Sequence, residues 1–343
     1  MKLATYQDGS RDGQLVVVSR DLATAHYATG IAYRLQQVLD DWNFMSPQLQ
    51  DLSDALNQAG QPQARHAFPF DAARCMAPLP RAYQWVCASG FANEPLPQPQ
   101  GCEQQSAAMT TGPVMRQGAS DNFLGPQESI AVPGAAEAAA WGIDFDAGLA
   151  VITGDVPKAA SAAQGIDGVR LLMLVNDVSL RHLMPAERAG GMGLMHSKPG
   201  AAFSPVAVTP DELTIGGNSP ESAWQNGRVH LSVQSTLNGR KVGMVDAGSG
   251  MTFGFGELIA HACTTRNLRA GSVVGSGAVR NAGASLGFSC IAEKRAFEVL
   301  ENGGCSTSFM ALGDTVRIEV KGKNGHSVFG AIVQTVALSA SSR

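Results

Sequence analysis

Charged side chains, closely spaced cysteines and basic runs are all scarce in this chain. Asp, Glu, Lys and Arg make up 16% of its 343 residues, and 25 basic against 29 acidic side chains give a net charge of −4. A pI near 6.0 without a basic run argues against a nucleic-acid-binding surface. The six cysteines form no C-x-x-C pair, which indicates reduced thiols and neither a disulfide framework nor a zinc site.

Long apolar runs are missing as well. The longest purely aliphatic stretch, residues 171–175, is far shorter than the roughly 20 residues of a membrane-spanning helix. The first eight residues turn polar before the apolar core of a signal peptide can form. We therefore expect a cytoplasmic protein with no membrane partner and no nucleic-acid partner.

What the chain does have is glycine, 39 residues in all, and many short apolar or alternating runs. Such runs between turn residues predict strands, over residues 143–153, 169–175, 228–236, 271–276, 315–321 and 328–338. Asn238-Gly239 and Asn324-Gly325 predict type I′ hairpin turns, which need positive φ. One helix is predicted among them, over residues 255–268. The pattern favours a mixed sheet or β-roll over a regular βαβ alternation.

The N-terminal part has a different organisation. Its patterns predict two strands and then two helices, over residues 2–6, 14–19, 31–42 and 47–59. We therefore predict an α+β protein, with a small N-terminal α+β domain over residues 1–75 and a mixed β-roll domain over residues 76–343. Residues 91–120 are rich in Pro, Gln and Gly without apolar periodicity, which is typical of a long mobile loop.

Three acidic residues stand at places where a carboxylate is costly or well positioned. Asp144 and Asp146 lie on one face of the strand predicted over residues 143–153, because side chains alternate along a strand. Asp177 follows an apolar strand directly, and a carboxylate there must be paired, solvated or bound to a cation. Two interpretations stay open from the residues alone: solvated strand and turn residues, or ligands of a cation.

The sequence around Asp177 resembles a known family. The segment Asn176-Asp177-Val178-Ser179-Leu180-Arg181, followed by Ser197-Lys198-Pro199 and Phe203-Ser204-Pro205, is similar to the core signature of the fumarylacetoacetate hydrolase family. Three further segments fit the same family in the expected order: Gly142-Ile143-Asp144-Phe145, Gly275-Ser276-Gly277 and Ile291-Ala292-Glu293-Lys294-Arg295. The N-terminal unit resembles the bacterial fumarylacetoacetase-like branch.

The resemblance implies a mixed β-roll catalytic domain that forms a homodimer. It also implies Mg²⁺-, Mn²⁺- or Ca²⁺-dependent chemistry on β-diketo or 2-oxo acids, by C–C hydrolysis, decarboxylation or tautomerisation. In that family the metal chelates substrate oxygens and stabilises an enolate, which suits hard cations held by carboxylates.

The site departs from the family pattern. The usual Glu-x-Glu pair aligns with Asp146 and Gly148, the early Asp with Cys87 and a nearby His with Glu94. The resemblance therefore leaves Asp146 and Asp177 as metal ligands, which predicts a weak Mg²⁺ or Mn²⁺ site or none at all.

The remaining polar residues of the motifs form the predicted active site. The resemblance implies Lys198, Arg181 and Glu293 as catalytic groups of a pocket that stabilises an oxyanion. Cys87, Glu94 and Ser276 are expected to line the substrate pocket. Alternative interpretations are a solvated Lys198, a surface strand position for Glu293, and either a nucleophilic or an inert thiol at Cys87. His182 and His196, the histidines nearest the signature, are expected at the surface or beside the site.

Three functional hypotheses follow. The first is a diverged enzyme of this family, with a role in a specialised biosynthetic pathway, that carries out an enolate step on a small β-dicarbonyl or 2-oxo acid with weak or lost metal dependence. The second is a conventional metal-dependent hydrolase that uses Asp146 and Asp177. The third is a catalytically silent binding or assembly subunit.

Overall fold

The computed structural model describes residues 1–58, 65–91, 112–214 and 222–339. Glu94 and most of the loop predicted over residues 91–120 lie outside these ranges. Within them the protein has the predicted α+β fold, with seven α-helices and twenty strands. No helix in the described ranges combines the length and the apolar character that crossing a bilayer requires.

The elements follow one another in four groups along the chain. The first group comprises β1 (Lys2–Tyr6), β2 (Gln14–Val18), β3 (Thr24–Tyr27), α1 (Leu35–Asp40), α2 (Trp42–Asn57) and β4 (Phe68–Pro69). The second comprises β5 (Gln84–Ala88), β6 (Met115–Gln117), β7 (Ile130–Val132), α3 (Ala135–Trp141), β8 (Ile143–Asp144), β9 (Ala147–Thr153) and α4 (Ala162–Asp167).

The third group comprises β10 (Val169–Asn176), β11 (Ser179–Leu180), α5 (Met184–Gly190), β12 (Ala202–Phe203), β13 (Ala207–Val208), β14 (Trp224–Gln225), β15 (Arg228–Val229), β16 (Ser232–Leu237) and β17 (Arg240–Asp246). The last comprises α6 (Phe255–Ala262), β18 (Ser272–Ala278), α7 (Ile291–Asn302), β19 (Thr315–Val320) and β20 (Ile332–Leu338). Two short 3₁₀ helices, Ala72–Arg74 and Pro210–Leu213, lie between them.

Most strands belong to two sheets. The larger one has the order β4-β3-β2-β1-β13-β10-β9-β18-β5-β6, with β12 paired to β10, and the second has the order β17-β16-β19-β20-β7. The N-terminal strands join the larger sheet through the antiparallel pair of β1 and β13. Two small pairs, β8 with β11 and β14 with β15, complete the arrangement.

Strand β10 shows why the larger sheet is buried on both faces. Its side chains alternate, so that Leu172 and Leu174 pack into the core shared with the second sheet. Leu171, Met173 and Val175 face the opposite core, which α1 and α2 cover. Residues 171–175 are accordingly all apolar, as a strand segment covered on both faces requires, and the polar residues Asn176 and Asp177 follow at the site described below.

Several predicted boundaries needed correction. Helix α2 begins at Trp42 rather than at residue 47, because Trp42 and Met45 pack onto the core ahead of Pro47. The strand predicted over residues 143–153 is interrupted between β8 and β9. The Asn238-Gly239 turn is confirmed, with positive φ at both residues. At Asn324-Gly325 the type I′ prediction is wrong, because only the glycine has positive φ.

Candidate active site

The candidate site lies where the ends of β8, β10 and β11 meet the start of α7. The break between β8 and β9 brings Asp146 next to the end of β10. The backbone N–H of Asp146 donates to Oδ1 of Asn176 (3.0 Å), and the N–H of Asp177 donates to the carbonyl of Asp146 (3.0 Å). These bonds bring Asp146 and Asp177 together at the end of β10, where Asp144 of β8 is the third buried carboxylate.

Asp144 holds the first turn of α7. Its two carboxylate oxygens accept hydrogen bonds from the N–H groups of Ile291 (2.7 Å) and Ala292 (3.0 Å). Nε of Arg181 donates to Oδ2 at 2.8 Å. Because the first N–H groups of a helix lack partners within it, Asp144 stabilises α7 from a distant strand. This helix was absent from the sequence prediction.

Asp146 is surrounded by donors on both oxygens. Nη2 of Arg181 donates to Oδ1 at 2.6 Å, so that one guanidinium bridges Asp144 and Asp146. The Ser179 hydroxyl and Nζ of Lys198 (3.0 Å) both donate to Oδ2. The two aspartates that the sequence placed on one face of a strand therefore do lie together, although the strand itself is broken.

Lys198 ties Asp146 to Asp177. Its Nζ donates to Oδ2 of Asp146 (3.0 Å), to Oδ2 of Asp177 (3.1 Å) and to the backbone carbonyl of Asp177 (2.8 Å). An ammonium group has three N–H donors, and these three acceptors account for all of them. The side chain is only 9% exposed. The alternative of a solvated Lys198 is therefore wrong.

Glu187 in α5 positions the turn that carries Lys198. Its carboxylate accepts hydrogen bonds from the backbone N–H groups of Met195 (3.1 Å), His196 (2.6 Å) and Ser197 (3.1 Å), and from the Ser197 hydroxyl. These bonds lower the pKa of Glu187 to about 2. Sequence reasoning missed this residue, because its partners are mostly backbone groups that no motif reveals.

Arg116 is the second residue that sequence reasoning missed. It lies in β6 directly opposite Cys87 of β5, so that both side chains share one face of the sheet. Its Nη2 donates to Oδ2 of Asp177, the oxygen that Lys198 also contacts. The side chain is 18% exposed. Its strand follows a segment without readable periodicity, which left no signal at this position.

The charges of this cluster balance within the protein. Three carboxylates, those of Asp144, Asp146 and Asp177, face three cations, those of Arg116, Arg181 and Lys198. Burial works to raise the pKa of Asp177, but Lys198 and Arg116 outweigh it and hold that pKa well below its usual value. Arg181 and Lys198 likewise outweigh burial at Asp146 and lower its pKa.

Glu293 stands beside this cluster on α7. It is buried, and Nε of Arg280 lies 3.1 Å from its Oε1. Burial raises the pKa of Glu293 to about 7, although Arg280 opposes the shift. The alternative of a surface strand residue is therefore wrong on both counts, since Glu293 is helical and buried.

The other predicted pocket residues have different surroundings. Cys87 is buried beside Asp177, and burial raises the pKa of its thiol to about 12. These surroundings favour an inert thiol over a nucleophilic one. Ser276 is fully buried, where its hydroxyl accepts from the N–H of Leu149 (3.1 Å) and donates to the carbonyl of Gly277 (2.8 Å). These bonds join β9 to β18 and leave the hydroxyl no donor for a substrate.

Both histidines near the signature lie at the surface, as expected. His182 is bound through Nδ1 to the carbonyl of Ala140 (2.9 Å) and stacks edge-on against Phe309. The side chain of His196 is 79% exposed.

A cavity of about 320 Å³, lined by Lys2, Arg20 and Glu212 among others, includes none of the cluster residues.

The donor set fits a divalent cation poorly. Both oxygens of Asp146 and one of Asp177 already accept hydrogen bonds from cationic groups. A Cβ at Gly148 would lie 2.4 Å from the carbonyl oxygen of Gly277, which leaves no room for a ligating side chain. Asp144, Asp146 and Cys290 lie close enough to share an ion, but burial raises the pKa of the Cys290 thiol well above its usual value. Hard cations prefer oxygen ligands to a protonated thiol.

Comparison with known proteins supports the resemblance noted in the sequence. Residues 1–81 match the model of the fumarylacetoacetase N-terminal domain 2, and residues 93–337 match that of the fumarylacetoacetate hydrolase C-terminal domain. A comparison with curated protein sequences gave no significant match.

Solved structures share the fold over almost the whole length of the chain. The 2-hydroxyhepta-2,4-diene-1,7-dioate isomerase from Mycobacterium marinum is 17% identical, with 99% of both chains covered and a TM-score of 0.58. The fumarylacetoacetate hydrolase from Exiguobacterium antarcticum is 15% identical (99% and 100% covered, TM-score 0.63).

Maleylpyruvate hydrolase from Sphingobium sp. SYK-6, solved with manganese(II) and pyruvate, is 12% identical, with 99% of this chain and 100% of that chain covered and a TM-score of 0.60. At these identities the likeness concerns the fold alone. The family model of the C-terminal domain, however, matches more than half of the chain. The protein therefore belongs to the fumarylacetoacetate hydrolase family.

Proposed function

We propose that this protein is a diverged enzyme of its family that forms an enolate from a small β-dicarbonyl or 2-oxo acid. C–C hydrolysis, decarboxylation and tautomerisation of such compounds share this step. The observation that carries the proposal is the buried cluster of Arg116, Arg181 and Lys198, which reaches solvent through its two arginines. Cations fixed in a largely desolvated site stabilise an oxyanion much better than cations in water.

Glu293 is the proposed proton-transfer group. A carboxyl group with a pKa of about 7 exchanges protons readily near neutral pH, where a general acid or base works best. As a carboxylate it would take the proton from the carbon next to the substrate carbonyl, and the electron pair would move onto the carbonyl oxygen. Returning the proton to a different carbon would complete a tautomerisation.

The proposed reaction depends weakly or not at all on Mg²⁺ or Mn²⁺, because the cluster neutralises its carboxylates with its own cations. Asp146 and Asp177, the two expected ligands, serve in this proposal to hold Lys198 and Arg116 in place. A role in a specialised biosynthetic pathway remains part of the proposal, since altered site residues on an intact scaffold suit altered chemistry.

Turnover assays test the proposal. Purified protein is incubated with oxaloacetate and with an acylpyruvate, in EDTA and with added Mn²⁺, and substrate loss and enol absorbance are followed. We expect turnover in EDTA, and we expect Glu293→Gln to lower kcat by roughly 10²–10⁴-fold, the usual contribution of a positioned acid or base. The surface variant Arg269→Met is the matched control and should keep full activity.

Two other outcomes identify the alternatives. Turnover that requires Mn²⁺ and disappears in EDTA would support a conventional hydrolase that uses Asp146 and Asp177. Binding of these compounds without any turnover would support a silent binding or assembly subunit. We also propose a cytoplasmic location, and a homodimer, as the family resemblance implies. Light scattering after gel filtration measures the oligomeric state.

A further inference from the structure

Arg116 is the cation of the cluster with the most unused hydrogen-bonding capacity. A guanidinium has five N–H donors. Among the described residues, only Asp177 accepts a hydrogen bond from Arg116. Lys198, by contrast, donates all three of its hydrogen bonds to Asp146 and Asp177. Arg181 donates two, to Asp144 and Asp146.

The position of Arg116 is one where a cation is electrostatically required. Without it, Asp144, Asp146 and Asp177 would face only Arg181 and Lys198, and one buried negative charge would remain uncompensated. With it, the cluster is neutral, and an added divalent cation would create an excess of two positive charges. A divalent cation placed beside Asp177 would therefore be repelled by the guanidinium that already pairs with this carboxylate.

The described neighbours of Arg116 leave its outer donors available. Cys87, the residue opposite it in the β5–β6 pair, carries a thiol, whereas a carboxylate there would pair with the guanidinium. Gly148 contributes no side chain to the site, and a Cβ at that position would strike the carbonyl oxygen of Gly277. The surrounding residues thus suit an arginine that keeps a free face.

We infer that Arg116 binds the paired oxygens of the anionic substrate, in the place where a divalent cation would otherwise chelate them. This inference rests on the proposed function for the substrate class, a 2-oxo acid or β-dicarbonyl. The planar fork of a guanidinium matches two coplanar oxygens, such as those of a carboxylate or of a 2-oxo acid enolate. A lysine at this position would keep the charge but lose the fork.

Calorimetric titration with oxalate tests the inference without turnover. Oxalate is planar and presents paired oxygens like those of a 2-oxo acid enolate, and EDTA in the buffer removes metal. We expect the wild type to bind oxalate, Arg116→Met to weaken binding at least 30-fold and Arg116→Lys about 10-fold. Arg269→Met, an exposed arginine in a loose pair with Asp155, is the matched control and should bind as the wild type does.

Manganese binding provides the second readout. Electron paramagnetic resonance of Mn²⁺ should show no binding to the wild type up to millimolar metal, with or without oxalate. Arg116→Met, which vacates the place of the cation, should bind Mn²⁺ more tightly than the wild type. Circular dichroism and a thermal melt verify that each variant is folded, and Arg116→Lys supplies the test if Arg116→Met is not.

The contrary results are distinct. Oxalate binding that requires Mn²⁺, that is equal in wild type and Arg116→Met, or that is absent from the wild type overturns the inference. Failure of the proposed function looks different, because it is the absence of dicarbonyl turnover with Arg116-dependent oxalate binding retained. Turnover in EDTA that Arg116→Met leaves unchanged would refute the inference and keep the function.

Discussion

The buried cluster of the candidate site and the first hairpin of the protein both contain ion pairs between a basic side chain and an aspartate, but in different surroundings. On the hairpin, the guanidinium of Arg81 binds Asp12 through two hydrogen bonds, at 2.6 and 2.8 Å, with side chains 50% and 36% exposed. In the cluster, Lys198 contacts Asp146 at 3.0 Å and Asp177 at 3.1 Å, and all three side chains are less than a tenth exposed.

The difference shows that burial, rather than distance, separates a site from an ordinary surface pair. Water screens the Arg81–Asp12 pair, so that it contributes little to stability. Burying the charges of the cluster costs desolvation energy that a well-packed apolar cluster would avoid. This energetic cost is the reason that we propose a chemical rather than a stabilising role for the cluster.

Removing Lys198 should have the largest effect. Lys198→Met keeps the volume of the side chain but leaves two buried carboxylates without their shared partner, which should cost about 3–5 kcal/mol of unfolding free energy. Urea unfolding followed by circular dichroism measures it. A loss below about 1 kcal/mol would mean that the cluster behaves like the hairpin pair.

Glu293 should make stability depend on pH. Its pKa, about 7 in the folded protein, lies above its ordinary value of 4.5, so that the folded state holds a proton that the unfolded state releases. Stability from this group is complete below pH 4.5 and falls as the pH rises to about 7, by roughly 3 kcal/mol. Glu293→Gln should remove this part of the slope in urea midpoints measured from pH 4.5 to 7.5. An unchanged slope would contradict the raised pKa.

A substitution at Gly148 tests how tightly β9 packs against β18 beside the cluster. Gly148→Ala forces a methyl group against the carbonyl oxygen of Gly277, a backbone atom that cannot turn aside, and should cost about 1–3 kcal/mol. Gly190→Ala is the matched control, because nothing lies within 4 Å of its added Cβ. Thermal unfolding of both variants measures the difference in their melting temperatures. Equal melting temperatures would show that the backbone of β18 can move away from the added methyl group.

The hairpin pair should give the smallest effect. A double-mutant cycle with Arg81→Ala and Asp12→Ala should yield a coupling energy of less than about 1 kcal/mol. That coupling should shrink further in 0.5 M salt, because ions screen exposed charges. A coupling as large as the cost of Lys198→Met would erase the distinction between the two regions.

Local signals predicted the parts of the structure that depend on neighbouring residues. The first strand was predicted at residues 2–6, where β1 lies, and β10 extends the strand predicted over residues 169–175 by one residue. The Asn238-Gly239 turn needs no partner beyond its own hairpin. Helix α7 was missed, since its first turn is held by Asp144, which lies almost 150 residues away in the sequence.

The candidate site divides in the same way. Family motifs indicated Asp146, Asp177, Arg181, Lys198 and Glu293, and the structure brings all of them to the region where β10 ends and α7 begins. Motifs did not indicate that all three N–H donors of Lys198 are used within the protein. They also did not indicate that Glu293 is buried in a helix or that the Ser276 hydroxyl is hydrogen-bonded inside the sheet. Those properties depend on contacts between distant segments, which no local pattern encodes.

The sequence by itself determined the α+β class and the family resemblance, because composition and motif order carry these directly. Only the tertiary structure decided which cations contact the buried carboxylates. Arg116 faces Asp177 because β6 pairs with β5 in a register that sets it opposite Cys87. Strand register arises from packing across the whole sheet, and a single arginine beyond an unpatterned segment gives no sign of it.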